Sequence, residues 1–563
     1  MKLKPTPEAI LCNQVGVLLI ALALAIAAGR IAVVRSAEGD TAFLSANDRS
    51  RWATVAALVE DGTYEIDRLV SITDKSGRRR PWNSIDRVQH TGDDGLMHHY
   101  SSKPPLLATL VAGVYAGAKS VLGMTLTEQP IYMTRIVLAL VNLPLLLMFL
   151  TATWSVIKAS ALREFSQLAA LAAACFGTML LPMSVSLNNH LPAAAATAVV
   201  LMLYLRREGR HAGWPLTPAA FWAGAAAAFT VTCELPALLM FVLWFALFLR
   251  QNLLSTLVGF VPGAAIVTAA FFGTNWIAHG TLIPPYAHRS DGPVIASLVA
   301  SPATEPSAAS VPSAATPPTA DSPAAESAAA GLPTAEQIAA ELRAGEALHP
   351  RNRDQPLRLS PTAQADRWLV ETEQGHQRFA LRRDAADANR WNVHRWDNWY
   401  DYPGSYWTTS RRGVDRGEPN RVVYSFHLTL GYYGLFSLTP IWALVPWGLY
   451  LRYREQRLRS RWWLTAAIIV ATLVCLAFYI SRPLIDRNYG GVSSSFRWLL
   501  WFAPLWIWGL LPAAQVCGAN RWGRWLLVVL IAGSVFSVAI SLESPWQHPW
   551  IYRYVHFLGW LKA

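Results

Sequence analysis

Long apolar runs separated by short polar segments dominate the pattern of this sequence. Eleven of these runs approach or exceed the roughly 20 residues that a helix needs to cross the hydrocarbon core of a membrane. The pattern therefore predicts an all-α polytopic membrane protein with about 11 transmembrane helices. The predicted spans are residues 11–34, 131–157, 166–185, 191–206, 216–232, 236–250, 254–278, 426–451, 462–480, 496–516 and 525–542.

A twelfth run, residues 104–122, decides the predicted topology. If it does not cross, the arginine-rich short loops all lie on the side of the N-terminus, and the opposite short loops hold only Arg482 and Arg487. Basic residues favour the cytoplasmic side of a membrane. We therefore predict that 104–122 is an amphipathic helix on the outer surface, and that the N-terminus is cytoplasmic and the C-terminus extracytoplasmic. The arginine-rich loops lie around residues 158–165, 206–215, 451–461 and 518–524.

Four segments follow from this topology. Residues 1–290 form a transmembrane module with an outer loop at 35–130, and residues 426–563 form the C-terminal transmembrane helices. Between them, residues 291–335 are rich in Ala, Pro, Ser and Thr and are expected to be a flexible linker, because they cannot bury enough apolar surface to fold. Residues 336–425 regain a mixed composition with many aromatic side chains, which predicts a small extracytoplasmic segment.

The composition excludes several classes of protein. Hydrophobic residues make up 53% of the chain and charged residues 15%, which is too apolar for a disordered regulator or an ordinary soluble enzyme. The net charge of +12 comes from arginines in short loops, so we expect no nucleic-acid partner. The five cysteines show no CxxC spacing and are expected to be small core residues.

The first outer loop contains an acidic residue that is followed closely by two arginines. Asp48, Arg49 and Arg51 lie in the first turns of a helix that Ser45 or Asn47 can cap. A carboxylate beside two guanidiniums outside the membrane can act as a general base next to an anion site. The alternative is structural: an acid that complements the helix dipole, with arginines that pair with lipid phosphates.

A lysine begins the predicted surface helix further along this loop. Lys103 precedes Pro104-Pro105, where a cation and free backbone N–H groups suit a phosphate. The alternative is a lysine that snorkels to the interface. Neighbouring histidines and aspartates are possible ligands of a divalent metal, although their spacing matches no specific site; they are His90, Asp93, Asp94, His98 and His99.

The stretches NDRSRWATVAALVEDGTYEID and YSSKPPLLATLVAGVY are similar to the first-loop patterns of the bacterial glycosyltransferase-C superfamily. That superfamily includes protein O-mannosyltransferases and the aminoarabinose transferases of lipid A. The resemblance covers residues 11–290 and is much vaguer beyond them. It implies transfer of a sugar from a polyprenyl-phosphate donor on the outer face, with Asp48 as the catalytic acid of the first loop and Lys103 near the lipid phosphate. This sequence departs from the pattern in that no clear Asp-Asp or Asp-Glu pair follows the second span.

Other polar groups at the outer ends of spans are candidate substrate-binding residues. His190 follows Asn188-Asn189 between the third and fourth spans, and Glu234 lies between the fifth and sixth. Ionisable groups near the membrane core are costly and often functional, although helix capping is an equal alternative. Tyr286 follows a Pro-Pro pair after the seventh span, as in the superfamily, and Arg487 and Arg497 lie outside the tenth span. An aromatic cluster at 391–407 either stacks on sugar rings or rests at headgroup level.

Three functions fit these residues. The first is an integral glycosyltransferase of the cell membrane that uses a polyprenyl-phosphate-linked sugar, with Asp48 as base and Arg49, Arg51, Lys103 and Arg487 on the phosphate. The second is a transporter or flippase of a lipid-linked glycan, and the third a non-catalytic membrane protein of the same fold. We favour the first, because a transporter needs charges deep within several spans and such charges are nearly absent. The sugar and the acceptor (glycan, lipid or protein) are not specified by the sequence.

Overall fold

The computed structural model describes residues 6–74, 76–78, 80–208, 216–299, 332–362, 364, 366–408, 411–456 and 461–561. Helices make up most of these residues. They are α1 (Pro7–Val33), α2 (Ala46–Ala56), α3 (Asp67–Ser71), α4 (Pro105–Leu122), α5 (Pro130–Lys158), α6 (Glu164–Phe176), α7 (Leu180–Met183), α8 (His190–Glu208), α9 (Leu216–Cys233), α10 (Leu238–Gln251), α11 (Leu253–Ser255), α12 (Val261–His279), α13 (Ala335–Ala344), α14 (Arg421–Thr429), α15 (Leu435–Leu438), α16 (Leu444–Gln456), α17 (Trp462–Ser481), α18 (Ala503–Cys517), α19 (Arg521–Ser541) and α20 (Trp550–Phe557).

Within the described ranges, eight helical segments are long and apolar enough to cross a membrane. Many of their large apolar side chains are exposed, as in α1, where Leu11 is 60% and Leu18 66% exposed. Such surfaces are expected where lipid takes the place of water. The protein is therefore a multi-pass membrane protein. The segments are Pro7–Val33, Pro105–Leu122, Pro130–Lys158, Glu164–Met183, Leu253–His279, Trp462–Ser481, Arg497–Cys517 and Arg521–Ser541, and Leu235–Gln251 is a shorter apolar helix.

The predicted count of 11 spans is not confirmed. The expected span 426–451 is broken into α14, α15 and α16, because Gly431 and Gly434 make tight turns and Pro440 starts a new helical turn. The sequence pattern missed this break because the run is apolar on average and its few polar residues carry no charge at neutral pH. Helix α4 is long and apolar enough to cross, so its predicted position on the surface stays a prediction, as do the sides on which the termini lie.

The prediction of an all-α fold is wrong for the segment that follows α12. Its five strands form an antiparallel sheet in the order β3-β7-β6-β5-β4, and α13 packs against β3 and β4. Strand β3 lies inside the range 291–335 that we expected to be a linker. The sheet core contains Ile338, Val370 and Trp391, each fully buried. The strands are β3 (Val294–Val299), β4 (Leu357–Pro361), β5 (Arg367–Thr372), β6 (Arg378–Arg383) and β7 (Arg390–Arg395).

The first loop folds into its own small unit beside the helices. Strands β1 (Arg87–Thr91) and β2 (Met97–Ser101) form an antiparallel hairpin, and α2 and α4 pack together around Trp52 and Tyr115. Stacked rings join this unit to the sheet segment: His288 lies 3.6 Å from Trp399, Trp399 lies 4.2 Å from His90, and His90 lies 4.1 Å from Tyr100, between ring centroids. We call the side of the molecule that carries the hairpin and the sheet the loop side.

Candidate functional site

A cavity of about 510 Å³ lies between the first loop, the sheet segment and the ends of several candidate spans. Arg482 directly follows α17, and Lys103 lies two residues before α4, so the cavity lies at the loop-side ends of these two apolar helices. Its wall contains six cations and four carboxylates. These are Arg51, Lys103, Arg289, Arg411, Arg482 and Arg497, with Asp86, Glu234, Asp415 and Asp486.

Three of the cations form one group, which we call the deep cluster: Arg51, Lys103 and Arg497. Arg51 is only 5% exposed, and burial together with the field of Arg497 lowers its pKa to about 10. Burial also lowers the pKa of Lys103; Asp86 counteracts this effect, whereas Arg51 and Arg497 add to it. The three positive charges therefore lie within electrostatic reach of one another. Such a group is stabilised when an anion binds among them.

Asp86 is the carboxylate closest to Lys103. Its Oδ2 lies 3.1 Å from Nζ of Lys103, and both side chains line the cavity. The hairpin produces this contact, because the register pairs Arg87 with Ser101 and thereby places Asp86 beside Ser102, whose N–H donates to the carbonyl of Asp86 over 3.1 Å. No motif or spacing in the sequence pointed to Asp86.

Glu234 and His190 hold Arg497 in place. Arg497 donates from Nη1 to Nε2 of His190 over 2.8 Å, and Nδ1 of His190 lies 2.5 Å from Oε1 of Glu234. Because a guanidinium can only donate, Nε2 accepts, so the imidazole proton lies on Nδ1 and points to Glu234. Asn189 donates to the same Oε1 over 2.7 Å and accepts from Arg51 over 2.9 Å. The Asn-Asn-His turn thus ties two cations of the deep cluster to one carboxylate, whose pKa burial raises to about 8.

Asp48, predicted to be the base, does not line the cavity. It is fully buried, and its two oxygens accept from the backbone N–H of Leu44 and of Leu187, each over 3.0 Å. Burial raises its pKa to about 7, against the opposing effect of these two bonds and of Arg51. Each oxygen thus accepts from a backbone N–H group, and the carboxylate joins the start of α2 to the turn before α8. The role of Asp48 as base stays a prediction.

The other predicted residues divide into two groups. Tyr286 lines the cavity, whereas His190 is fully buried behind its wall. Arg49 and Arg487 do not reach the cavity. Arg49 donates to the carbonyl of Asn83, and Arg487 donates to the carbonyls of Arg482, Glu418 and Pro419, so their guanidiniums fix loops instead of binding substrate.

The predicted metal ligands do not come together as a set. His90 contacts His279 in the ring stack, and His99 contacts Asp67, whereas Asp94 contacts His98. In the part of the chain that the structure describes, one group has the spacing that a divalent cation needs: Glu65, Asp67 and His98. This group lies outside the cavity wall, so we assign it no part in chemistry there.

Comparison with known proteins gives few matches. No family model and no curated protein match the chain. A similar solved structure is the oligosaccharyltransferase of Archaeoglobus fulgidus in the apo form, at 11% sequence identity and a TM-score of 0.45. The match covers 95% of this chain and 56% of that chain, so this chain spans little more than half the length of that enzyme. We infer the function from the cavity itself.

Proposed function

We propose that this protein is a membrane glycosyltransferase that moves a sugar from a polyprenyl-phosphate donor to a hydroxyl group of an acceptor. The observation that carries this proposal is the deep cluster: three largely buried cations that converge on one cavity at the membrane boundary. We expect this cavity to face the lipid headgroups, because apolar helices end beside it, and fixed cations bind phosphate through short, charge-assisted hydrogen bonds. Sugar and acceptor then occupy the rest of the cavity.

A second, apolar cavity offers room for the prenyl chain. It has a volume of about 400 Å³ and lies along α16 and α17, with Leu473 and Leu476 in its wall. Arg482, which directly follows α17, lies in the wall of the 510 Å³ cavity. Six residues separate Leu476 from Arg482, which corresponds to about 9 Å of helix. The apolar cavity therefore lies close to the cation-lined cavity, and we expect the prenyl chain of a bound donor to lie along it.

Asp86 is the proposed base in place of Asp48. Its carboxylate takes the proton of the acceptor hydroxyl as that oxygen forms a bond to the anomeric carbon of the sugar. The bond from this carbon to the phosphate oxygen breaks with its electron pair, and the polyprenyl phosphate leaves with the added charge. Lys103 has three N–H donors, so it can keep Asp86 in place and bind the departing phosphate together with Arg51 and Arg497. Attack from the face opposite the phosphate inverts the configuration at this carbon.

Three variants of the purified full-length protein test the proposal with radiolabelled polyprenyl-phosphate sugars. We expect Lys103→Gln to weaken donor binding and Asp86→Asn to bind donor but to lose transfer. Arg358→Gln is the matched control, because Arg358 is an exposed cation of the sheet that pairs only with Glu373 in the described residues. Equal donor binding in the Lys103→Gln variant and the control would refute the phosphate site. Movement of lipid across liposomes without transfer would favour a flippase.

A further inference from the structure

Three more arginines form a second group at the same cavity, which we call the rim cluster: Arg289, Arg411 and Arg482. Their guanidiniums converge on the carboxylate of Asp486 and on the carbonyl of Ile485, the residue before it. Asp486 lies 3.0 Å from Arg482 and 3.8 Å from Arg289, while Arg411 donates to the carbonyl of Ile485 over 2.6 Å. Asp486 thus pairs with two guanidiniums, and the third binds the carbonyl of the residue before it; the three arginines come from separate segments of the chain.

Aromatic rings hold two of these guanidiniums in position. Arg289 lies over the ring of Tyr400 at 4.3 Å, and Arg411 lies over Trp407 at 5.2 Å. Stacking fixes the plane of a guanidinium, so that its five N–H groups can serve an anion as well as the carbonyl and carboxylate partners that they already have. The rim cluster is therefore preorganised and is not a set of freely moving surface side chains.

The rim cluster is more exposed than the deep cluster. The side chains of Arg289 and Arg482 are 39% and 30% exposed, whereas the Arg51 residue is 5% exposed and the Lys103 side chain 21%. A ligand that comes from water thus meets the rim cluster first. A phosphate at membrane depth meets the deep cluster.

Asp415 lines the same cavity and accepts a hydrogen bond from Tyr406 over 2.9 Å. Burial raises its pKa and this hydrogen bond opposes the effect; Asp86 raises the pKa further, whereas Arg411 and Arg497 lower it. Asp415 is thus within electrostatic reach of one cation from each cluster. A carboxylate in the shared wall disfavours a single anion that would span both clusters.

We infer that the rim cluster binds an anionic group, a phosphate or a carboxylate, that belongs to the acceptor. This inference rests on the proposed function and adds the substrate class: the acceptor is an acidic molecule and not a neutral sugar or alcohol. The acid group is held at the rim by Arg289, Arg411 and Arg482, and the acceptor hydroxyl reaches Asp86 in the interior of the cavity.

Binding at the rim is measurable without any transfer. The full-length protein in detergent is first saturated with a short-chain polyprenyl phosphate, which fills the deep cluster. Glucose 6-phosphate, glucuronate and glucose are then titrated in turn by calorimetry. We expect the two acidic sugars to bind and glucose not to bind. The double variant Arg289→Gln, Arg411→Gln should weaken their binding about tenfold or more, since it removes two charge-assisted contacts, and Arg358→Gln should leave binding unchanged.

Two results would overturn the inference. The first is that the acidic sugars bind no better than glucose, or bind equally well to the double variant. The second appears when the lipid is replaced by a polyprenyl diphosphate. The rim cluster would hold a second phosphate of the donor if two things are seen together. The diphosphate lipid would have to block the binding of glucose 6-phosphate, and the double variant would have to bind the diphosphate lipid less tightly while its affinity for the monophosphate lipid changes less. Failure of transfer with intact rim binding would instead refute the proposed function and leave the site in place.

Discussion

Two aspartates of the first loop differ in what their oxygens contact. Asp48 gives both oxygens to backbone N–H groups, one of them from Leu187, which is 139 residues away along the chain. One oxygen of Asp86 contacts the ammonium group of Lys103 at the cavity wall. The sequence predicted a functional carboxylate in this loop but could not distinguish the two, because the partners of Asp48 are set by how the loop packs against the turn before α8.

Asp48→Asn should lower the stability of the protein. An asparagine has one acceptor oxygen, so one of the two buried N–H groups loses its partner and faces an NH2 group instead. A buried donor without a partner costs about 1–3 kcal/mol. A thermal melt of the purified variant checks this. An unchanged melting temperature together with a large loss of transfer would restore Asp48 as the base.

Asp86→Asn should reduce transfer by about two to four orders of magnitude, the usual contribution of a positioned general base. Asparagine keeps the size of the side chain but cannot accept the proton. Donor binding should remain, because the three cations of the deep cluster are untouched. The measurement is single-turnover transfer with donor affinity determined in parallel. A rate within threefold of the unchanged protein would exclude Asp86 as the base.

At the scale of elements, the hairpin β1-β2 brings Asp86 to Lys103 at its open end, and His98, next to its turn, joins the hairpin to the rest of the first loop. Nδ1 of His98 lies 2.9 Å from Asp67, and Nε2 lies 3.1 Å from Asp94. Both ring nitrogens thus face carboxylates, which only accept when ionised, so the ring is held as an imidazolium. Burial acts against this charge, but Asp67, Glu65 and Asp94 together raise the pKa of His98.

The hairpin should therefore lose stability as the solution becomes alkaline. A histidine whose pKa is raised by folding stabilises the folded state fully below its unfolded pKa of about 6.5, and this contribution disappears as pH rises through the folded value. We expect the difference in melting temperature between the unchanged protein and His98→Gln to be largest near pH 6 and to shrink toward pH 8.5. The scan is done in EDTA, so that no cation occupies Glu65, Asp67 and His98. A constant difference across this range would contradict the imidazolium.

Strand β3 divides the expected linker into two parts, and we expect them to differ in whether they can be replaced without loss of stability. Val294–Val299 pair with β7, so their removal exposes the edge of the sheet. Residues 302–330 lie outside the described residues, and their composition predicts that a short Gly-Ser linker can replace them, since loop length changes closure entropy only slightly. We expect that replacement to keep the melting temperature, and a replacement that starts at residue 294 to lower it. Equal loss in both variants would show that the low-complexity stretch supports the fold.

At the scale of the whole molecule, the sequence predicted a multi-pass membrane protein because apolar runs of sufficient length are visible without any tertiary contact. Of the eight residues predicted to bind substrate, five line the cavity and three do not. The five are Arg51, Lys103, Glu234, Tyr286 and Arg497, and the three are Arg49, His190 and Arg487. The sequence did not predict Arg289, Arg411 and Arg482 as a group, because Arg289 and Arg411 flank a sheet that was not expected and Arg482 follows a helix far along the chain.

The predicted topology places the loop side outside the cell, and one labelling experiment checks it. Four native cysteines are buried and Cys233 is partly buried, so background labelling should be low. Arg358→Cys puts a thiol on the exposed strand β4. We expect a membrane-impermeant maleimide to label it in intact cells. Labelling only after the membrane is opened would reverse the topology and put the cavity on the cytoplasmic side.

The central claim is that the deep cluster binds the phosphate of a lipid-linked sugar, which is then transferred. The most direct measurement is single-turnover transfer from a radiolabelled polyprenyl-phosphate sugar by the full-length protein, with Lys103→Gln and the control Arg358→Gln in parallel. The account predicts transfer by the unchanged protein and by the control, and donor affinity reduced about tenfold or more in Lys103→Gln, as for the loss of a charge-assisted contact. It is contradicted if no polyprenyl-phosphate sugar is consumed with any acidic or neutral acceptor, or if Lys103→Gln binds the donor as tightly as the control.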